Sequence, residues 1–174
     1  MSLLEKYGAD ERLRDHSLMC SRVALKMAEG CDADRLLIQA GALLHDIGRT
    51  VINDISHGVQ GYRILRGEGY DEILARFCST HVGAGLLRKT ARKFNLPDMD
   101  YIPRTLEERI VCNADTLLKG DRVVRIEEIC EDYEKKGLLS EVPRLMSLYN
   151  YLQKRCGFRI EDLLALNGEQ NFKA

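Results

Sequence analysis

Tryptophan is absent from this 174-residue chain, proline occurs only three times, and no apolar run approaches the roughly 18 residues of a membrane span. With 45% hydrophobic and 30% charged residues, these scarcities exclude a disordered or membrane-inserted chain and describe an ordinary globular one. An excess of positive charge is also missing. The formal net charge is −1 and the isoelectric point is near 6.4, which removes the global electrostatic case for a nucleic-acid polymer as partner. A local anion pocket is compatible with that balance. Glu5 and Lys6 interrupt the N-terminus before an apolar stretch of signal-peptide length develops, so the chain reads as cytoplasmic. Cysteines 20, 31, 78, 112, 130 and 156 never form a Cys-x-x-Cys pair, which argues against a zinc ribbon or dithiol redox site and for buried apolar thiols.

What the sequence has in quantity is helical period. Leu13, His16, Cys20, Val23 and Met27 draw one stripe along a helix over about residues 9–29. A second helix, capped by Asp32 or Asp34, runs through Leu36, Leu37, Ala40, Leu43 and Leu44 to His45-Asp46, with Gly48 as its stop. Ser56 caps a third, placing His57 in the first turn, and Asp71 opens a fourth that brings His81 onto the inward face of Phe77 and Cys78. Residues 82–104 are irregular, with a short helix around Leu86 to Phe94. Thr105 with Glu107 and Glu108 opens a helix that carries Asp115. Amphipathic stretches follow at about 122–136, 141–155 and 160–166. No strand or repeat is evident, so the expectation is an all-α single domain over 1–174, large enough to fix polar groups without disulfides.

His45-Asp46 closes the apolar run Ala40–Leu44, and a buried ionised carboxylate is costly unless its charge is compensated. A metal ion would do so. His16, His45, Asp46 and Asp115 offer two imidazoles and two carboxylates from three helices, a set suited to Mn(II), Fe(II), Mg(II), Co(II) or Zn(II). Helical neighbours are turned by about 100°, so His45 and Asp46 converge on one ion only at or beyond a helix edge. Taken singly, each residue has an ordinary alternative: a hydrogen-bonded core histidine at 16, a surface residue at 57, a capped histidine at 81, a satisfied polar group at 115, a turn residue at 46. Periodicity alone does not choose.

The order His16, then His45-Asp46-Ile47-Gly48-Arg49, then Asp115 within Asn113–Leu117 resembles the H…HD…D pattern of the HD-domain superfamily of metal-dependent phosphohydrolases, over roughly residues 10–122. Ser56–Leu65 and Pro103–Glu108 further resemble a small stand-alone prokaryotic, largely archaeal, HD group. The resemblance implies a helical fold with a metal-site core at about 10–122 and a C-terminal helical extension at about 122–174. It also implies a first metal on His16, His45, Asp46 and Asp115. Members with two metals carry H…HD…H…H…D, which makes His57 and His81 the added ligands and Asp46 the bridge. Six protein ligands suit two divalent ions with open positions, with Fe, Mn, Co, Ni, Zn and Mg not distinguished; a single ion, with His57 and His81 binding phosphate or orienting water, is the alternative. The cyclic-dinucleotide branch carries Gly-Tyr-Pro, whereas Gly61-Tyr62 is followed here by Arg63, so the chain is not assigned there.

The implied activity is hydrolysis of a phosphomonoester or phosphodiester, of a nucleotide or related small phosphate, by metal-activated hydroxide, with Asp46 and Arg49 as catalytic residues. Arg49 is a candidate phosphate clamp, or else an ordinary helix-end arginine. Lys119 and Arg122 are candidates for an anion rim, although cations near a helix C-terminus are favoured by its dipole alone. Asp54 is read as an exposed turn acid rather than a proton donor. The alternatives are a di-iron oxygenase and a non-catalytic metal-dependent nucleotide-binding module. The apolar C-terminal helices are candidates for a cover over the site or a homodimer contact.

Overall fold

Residues 2–169 are described by a computed structural model; Met1 and residues 170–174 of the expected 1–174 domain lie outside the described residues. Helices begin where the sequence supplies an oxygen to the orphan amides of a first turn. Ser2 and Glu5 form a reciprocal capping box on α1 (Leu3–Lys6), an element not expected from periodicity. Asp10 accepts from the Leu13 amide at the start of α2 (Glu11–Met27), and Asp34 from the Leu37 amide at the start of α3 (Arg35–Leu44). Asp71 caps α5 (Glu72–Thr80) and Thr105 caps α7 (Leu106–Thr116) in the same way. Ser56 precedes α4 (His57–Gly67) as expected, but its hydroxyl donates to the Asp54 carboxylate at 2.6 Å instead of capping. The irregular segment holds α6 (Arg88–Lys93), and α8 (Ile126–Lys135), α9 (Val142–Cys156) and α10 (Ile160–Leu164) complete the all-α chain.

Two expectations are corrected. The helix leading to the doublet stops at Leu44, before Gly48, and a 3₁₀ turn over Ile47–Thr50 follows. A strand pair does exist: β1 (Leu118–Lys119) and β2 (Arg122–Val123) form a hairpin whose turn uses Gly120 at φ 68°. Two-residue strands are too short to leave an alternating pattern in a sequence.

The main core joins α2, α3 and α7 through Cys20, Val23, Met27, Ile38, Ala42, Ile110 and Val111. Leu145, Tyr149 and Leu152 of α9 belong to the same cluster, so the C-terminal helices pack into this core. A smaller cluster of Ile47, Leu65, Ala75 and Cys78 fastens the 3₁₀ turn to α4 and α5. Gly48 makes that contact close: a Cβ there would fall on the His57 carbonyl and the Gly61 amide. Because both obstacles are backbone, Gly48→Ala is expected to destabilise by about 1–3 kcal/mol or more and to displace His57. Denaturant unfolding of the variant, with its bound metal measured in parallel, checks both effects.

Cys20, Cys78 and Cys112 are buried free thiols, as expected, and Cys130 is partly buried. Cys31 and Cys156 instead form a disulfide between residues 125 apart in sequence. It forms because the end of α9 seats on the 3₁₀ turn Ala28–Gly30, where a Cβ on Gly30 would meet the Cys156 carbonyl. Spacing carries no information about such a partner. Among the described residues no helix is long and apolar enough to cross a membrane.

Candidate metal centre

The doublet sits where α3 ends. His45 keeps helical dihedrals as its C-cap, whereas Asp46 leaves the helix at φ −102°, ψ 10°. Unwinding at this one residue lets adjacent side chains meet, with His45 Nε2 3.7 Å from Asp46 Oδ2. His16 comes from the middle of α2, His57 from the first residue of α4, His81 from the residue after α5, and Asp115 from the last turn of α7. All six converge.

Each imidazole is oriented by the main chain. Nδ1 donates to a backbone carbonyl in all four rings: His16 to Gly120 (2.7 Å), His45 to Ala42 (2.7 Å), His57 to Asp54 (2.6 Å) and His81 to Phe77 (3.2 Å). A carbonyl accepts only, so Nδ1 carries a hydrogen and Nε2 is the atom turned inward. The hairpin corrected above is what brings the Gly120 carbonyl to His16. This outer contact could not be anticipated, because it depends on a turn and not on a side chain.

The inward atoms fall into two sets that share Asp46. His57 Nε2, His81 Nε2 and Asp46 Oδ1 form a triangle with edges of 2.9, 3.1 and 3.2 Å. Ligands about 2.1 Å from an ion and at right angles to one another lie about 3 Å apart, so the triangle has the size of one coordination face. On the other side, Asp115 Oδ1 is 3.0 Å from His16 Nε2 and 3.5 Å from His45 Nε2, while Asp46 Oδ2 is 3.6 Å from His16 Nε2. Donor atoms of His16, His45 and Asp115 all lie within 4.8 Å of one another, as do those of His45, Asp46 and His81. His45 Nε2 and Asp46 Oδ1 are buried without a hydrogen-bond partner. Two orphaned buried polar atoms at the junction of the sets are costly unless a cation meets them, so the residues present fit a divalent metal.

The carboxylates carry the charge that a cation requires. Burial opposes ionisation of Asp46, but the His45 charge and the contacts of His57 and His81 outweigh it and hold its carboxyl well below the usual range. Asp115 is likewise held low against burial, by His16 and His45. Burial would lower His16 too, yet the Asp115 hydrogen bond and charge push it up to about 9. For His81 burial prevails over Asp46 and its pKa falls. Both carboxylates are therefore charged near neutral pH, which metal coordination requires.

His16, Asp46 and Asp115 line a cavity of about 720 Å³, while His45, His57 and His81 lie behind them, each at most 3% exposed. Arg49 reaches the same cavity, with Nε donating to Asp46 Oδ2 at 2.7 Å and Nη1 to Asn53 Oδ1 at 2.8 Å. The expected anion rim is half formed. Lys119 lines the cavity and pairs with Asp132 at 2.7 Å, whereas Arg122 is exposed, faces Glu128 at 3.8 Å and is not among the lining residues. Asp54 is an exposed turn acid, its carboxylate taken by the Ser56 amide and hydroxyl. One wall was missed: Ile129, Asp132, Tyr133 and Lys136, spaced as one face of α8 and its C-cap, face the cavity. That spacing was readable, but nothing in it says which helix it faces.

The chain is similar in sequence and in fold to known proteins. The family model described as the HD domain matches residues 13–120. The chain is 37% identical to the tRNA (cytidine(56)-2′-O)-methyltransferase of Picrophilus torridus and 39% identical to that of Thermoplasma volcanium. Each match runs over 163 residues, 94% of this chain and 48% of the relative, so the chain spans about half the length of these two curated relatives. An uncharacterised protein of Methanocaldococcus jannaschii is 41% identical over 131 residues, 72% of this chain and 78% of that protein. Among solved structures, the HD domain of the L. monocytogenes phosphodiesterase PgpH in complex with cyclic-di-AMP superposes with a TM-score of 0.59 at 20% identity, covering 99% of both chains. The same domain in a second crystal structure superposes with a TM-score of 0.59 at 21% identity, over 97% of this chain and 99% of that one, so the fold is common to both. With the doublet at the break of α3, its partners on four other helices and a family match over most of the chain, the protein belongs to the HD-domain family.

Proposed function

We propose that the chain is a metal-dependent phosphohydrolase that acts on a small phosphate ester through two divalent ions bridged by Asp46. One observation carries this reading: the two oxygens of Asp46 are divided, Oδ1 toward His57 and His81, Oδ2 toward His16, His45 and Arg49. His16, His45 and Asp115 would hold one ion with Asp46, and His57 and His81 the other. Ions there would supply Lewis-acid polarisation of a phosphoryl oxygen and acidify a water. Arg49 fixes the bridging carboxylate through Nε and offers the rest of its guanidinium to a phosphate oxygen. Burial pushes the Tyr133 phenol up to about 12, so it remains a hydrogen-bond donor on the cavity wall. Lys119 lines the same cavity, its ammonium paired with Asp132.

Elemental analysis of protein purified without added metal, followed by a panel of phosphomonoesters and phosphodiesters with Mn(II), Fe(II), Co(II), Ni(II), Zn(II) and Mg(II), tests the proposal. About two ions per chain are expected, falling to about one in His81→Ala, with metal-dependent phosphate release by the parent protein only. Metal binding without release from any ester would favour a binding module over a hydrolase. Similarity to the two tRNA methyltransferases supports a second reading on the partner, against the low net charge: the chain works beside tRNA. Retention of tRNA by the metal-loaded protein at physiological salt would support that reading, and its loss on modest salt addition would count against it.

A further inference from the structure

Four cations line the cavity, and carboxylates on its wall engage two of them. Arg49 is committed to Asp46 and Asn53, and Lys119 to Asp132. Arg12 and Lys136, the others, make no salt bridge among the described residues. Of the lining carboxylates, Asp46 and Asp115 belong to the centre and Asp132 pairs with Lys119, while Asp10 caps α2 through the Leu13 amide. Arg12 lies one helical turn before His16 on α2. Lys136 is the C-cap of α8, on the opposite side of the metal ligands in sequence. Both are exposed, and although the Lys136 charge acts on Asp132 at a distance, neither the guanidinium nor the ammonium is tied to a carboxylate among the described residues, so each is available to an anion entering the cavity.

We infer that the substrate carries a second anionic group, apart from the phosphate at the metal centre, and that Arg12 and Lys136 bind it. The inference rests on the phosphohydrolase reading and narrows it to small molecules with two anionic groups. A cavity of about 720 Å³ has room for both groups and the organic piece joining them. Ile129 and Tyr133, on the same face as Lys136, supply an apolar surface for that piece.

Calorimetric titration of the manganese-loaded protein tests this with adenosine 3′,5′-bisphosphate against adenosine 5′-monophosphate, and fructose 1,6-bisphosphate against fructose 6-phosphate. At least one bisphosphate is expected to bind about tenfold or more tighter than its monophosphate, one charge-assisted contact's worth. In Arg12→Gln/Lys136→Gln that ratio is expected to fall to within about twofold. Equal binding of each pair by the parent protein, or a ratio that survives the double substitution, overturns the inference. Phosphate release from the same samples and from p-nitrophenyl phosphate is measured separately. Its absence would overturn the hydrolase reading and leave the binding ratio to judge Arg12 and Lys136.

Discussion

Asp46→Ala is expected to lose bound metal from both positions and to lower hydrolysis by more than about a thousandfold. Asp46 places one oxygen in each set: Oδ1 lies 3.1 Å from His57 and 3.2 Å from His81, and Oδ2 lies 3.6 Å from His16 and 3.7 Å from His45. Removing it takes from His57 and His81 the carboxylate that touches both of them and takes a partner from Arg49. The fold should survive, because Asp46 caps nothing with its side chain and the core clusters do not include it. Circular dichroism that matches the parent, together with elemental analysis and ester hydrolysis, makes the distinction. A variant that retained two ions and full turnover would end the bridging role of Asp46.

Glu108→Ala is expected to cost about 3–5 kcal/mol, the usual penalty for breaking a buried pair from one side. Glu108 is 3% exposed and takes a two-point contact from Arg76, with Nε to Oε1 at 2.6 Å and Nη2 to Oε2 at 3.1 Å. The same Oε2 accepts the Arg104 amide at 2.6 Å, which orders the entry to α7. Alanine would strand a guanidinium that is largely covered and an amide with no other acceptor among the described residues. For a domain of this length the loss corresponds to a fall in Tm of about 10 °C. Pairing it with Arg76→Met should recover much of the loss, since the stranded charge goes with the arginine. A single-variant loss below about 1 kcal/mol would mean that solvent already screens the pair. Asp115 is carried at the far end of α7, so the same variant should also weaken metal retention.

Those two carboxylates mark the limits of what the sequence discloses. Asp46 was legible because a histidine and an aspartate at the end of an apolar run violate binary patterning, and the family resemblance supplied the order of its partners. Glu108 was read only as an early acid complementary to a helix dipole, since its true partner, Arg76, lies on α5 and only folding brings the two together. The helices themselves were visible in their caps and periods, apart from the short α1. The hairpin was not, because two residues per strand show no alternation, and with it went the carbonyl that steers His16. The Cys31–Cys156 link was hidden for the same reason as the Arg76 partner, being a contact across 125 residues. Arg49 lines the cavity, but its bond to Asp46 was not foreseen, because a one-turn reach could serve ligand or protein equally.

The four carbonyls that grip the histidines have a thermodynamic meaning. Ring torsions in a loose imidazole are an entropic debt that falls due when a ligand is captured. Here they are settled during folding, by peptide groups of α3, α5, a hairpin and a loop, before any ion arrives. Affinity is thereby written into backbone conformation, and a substitution far from the cavity that relaxes one of those peptide groups loosens the grip without touching a ligand.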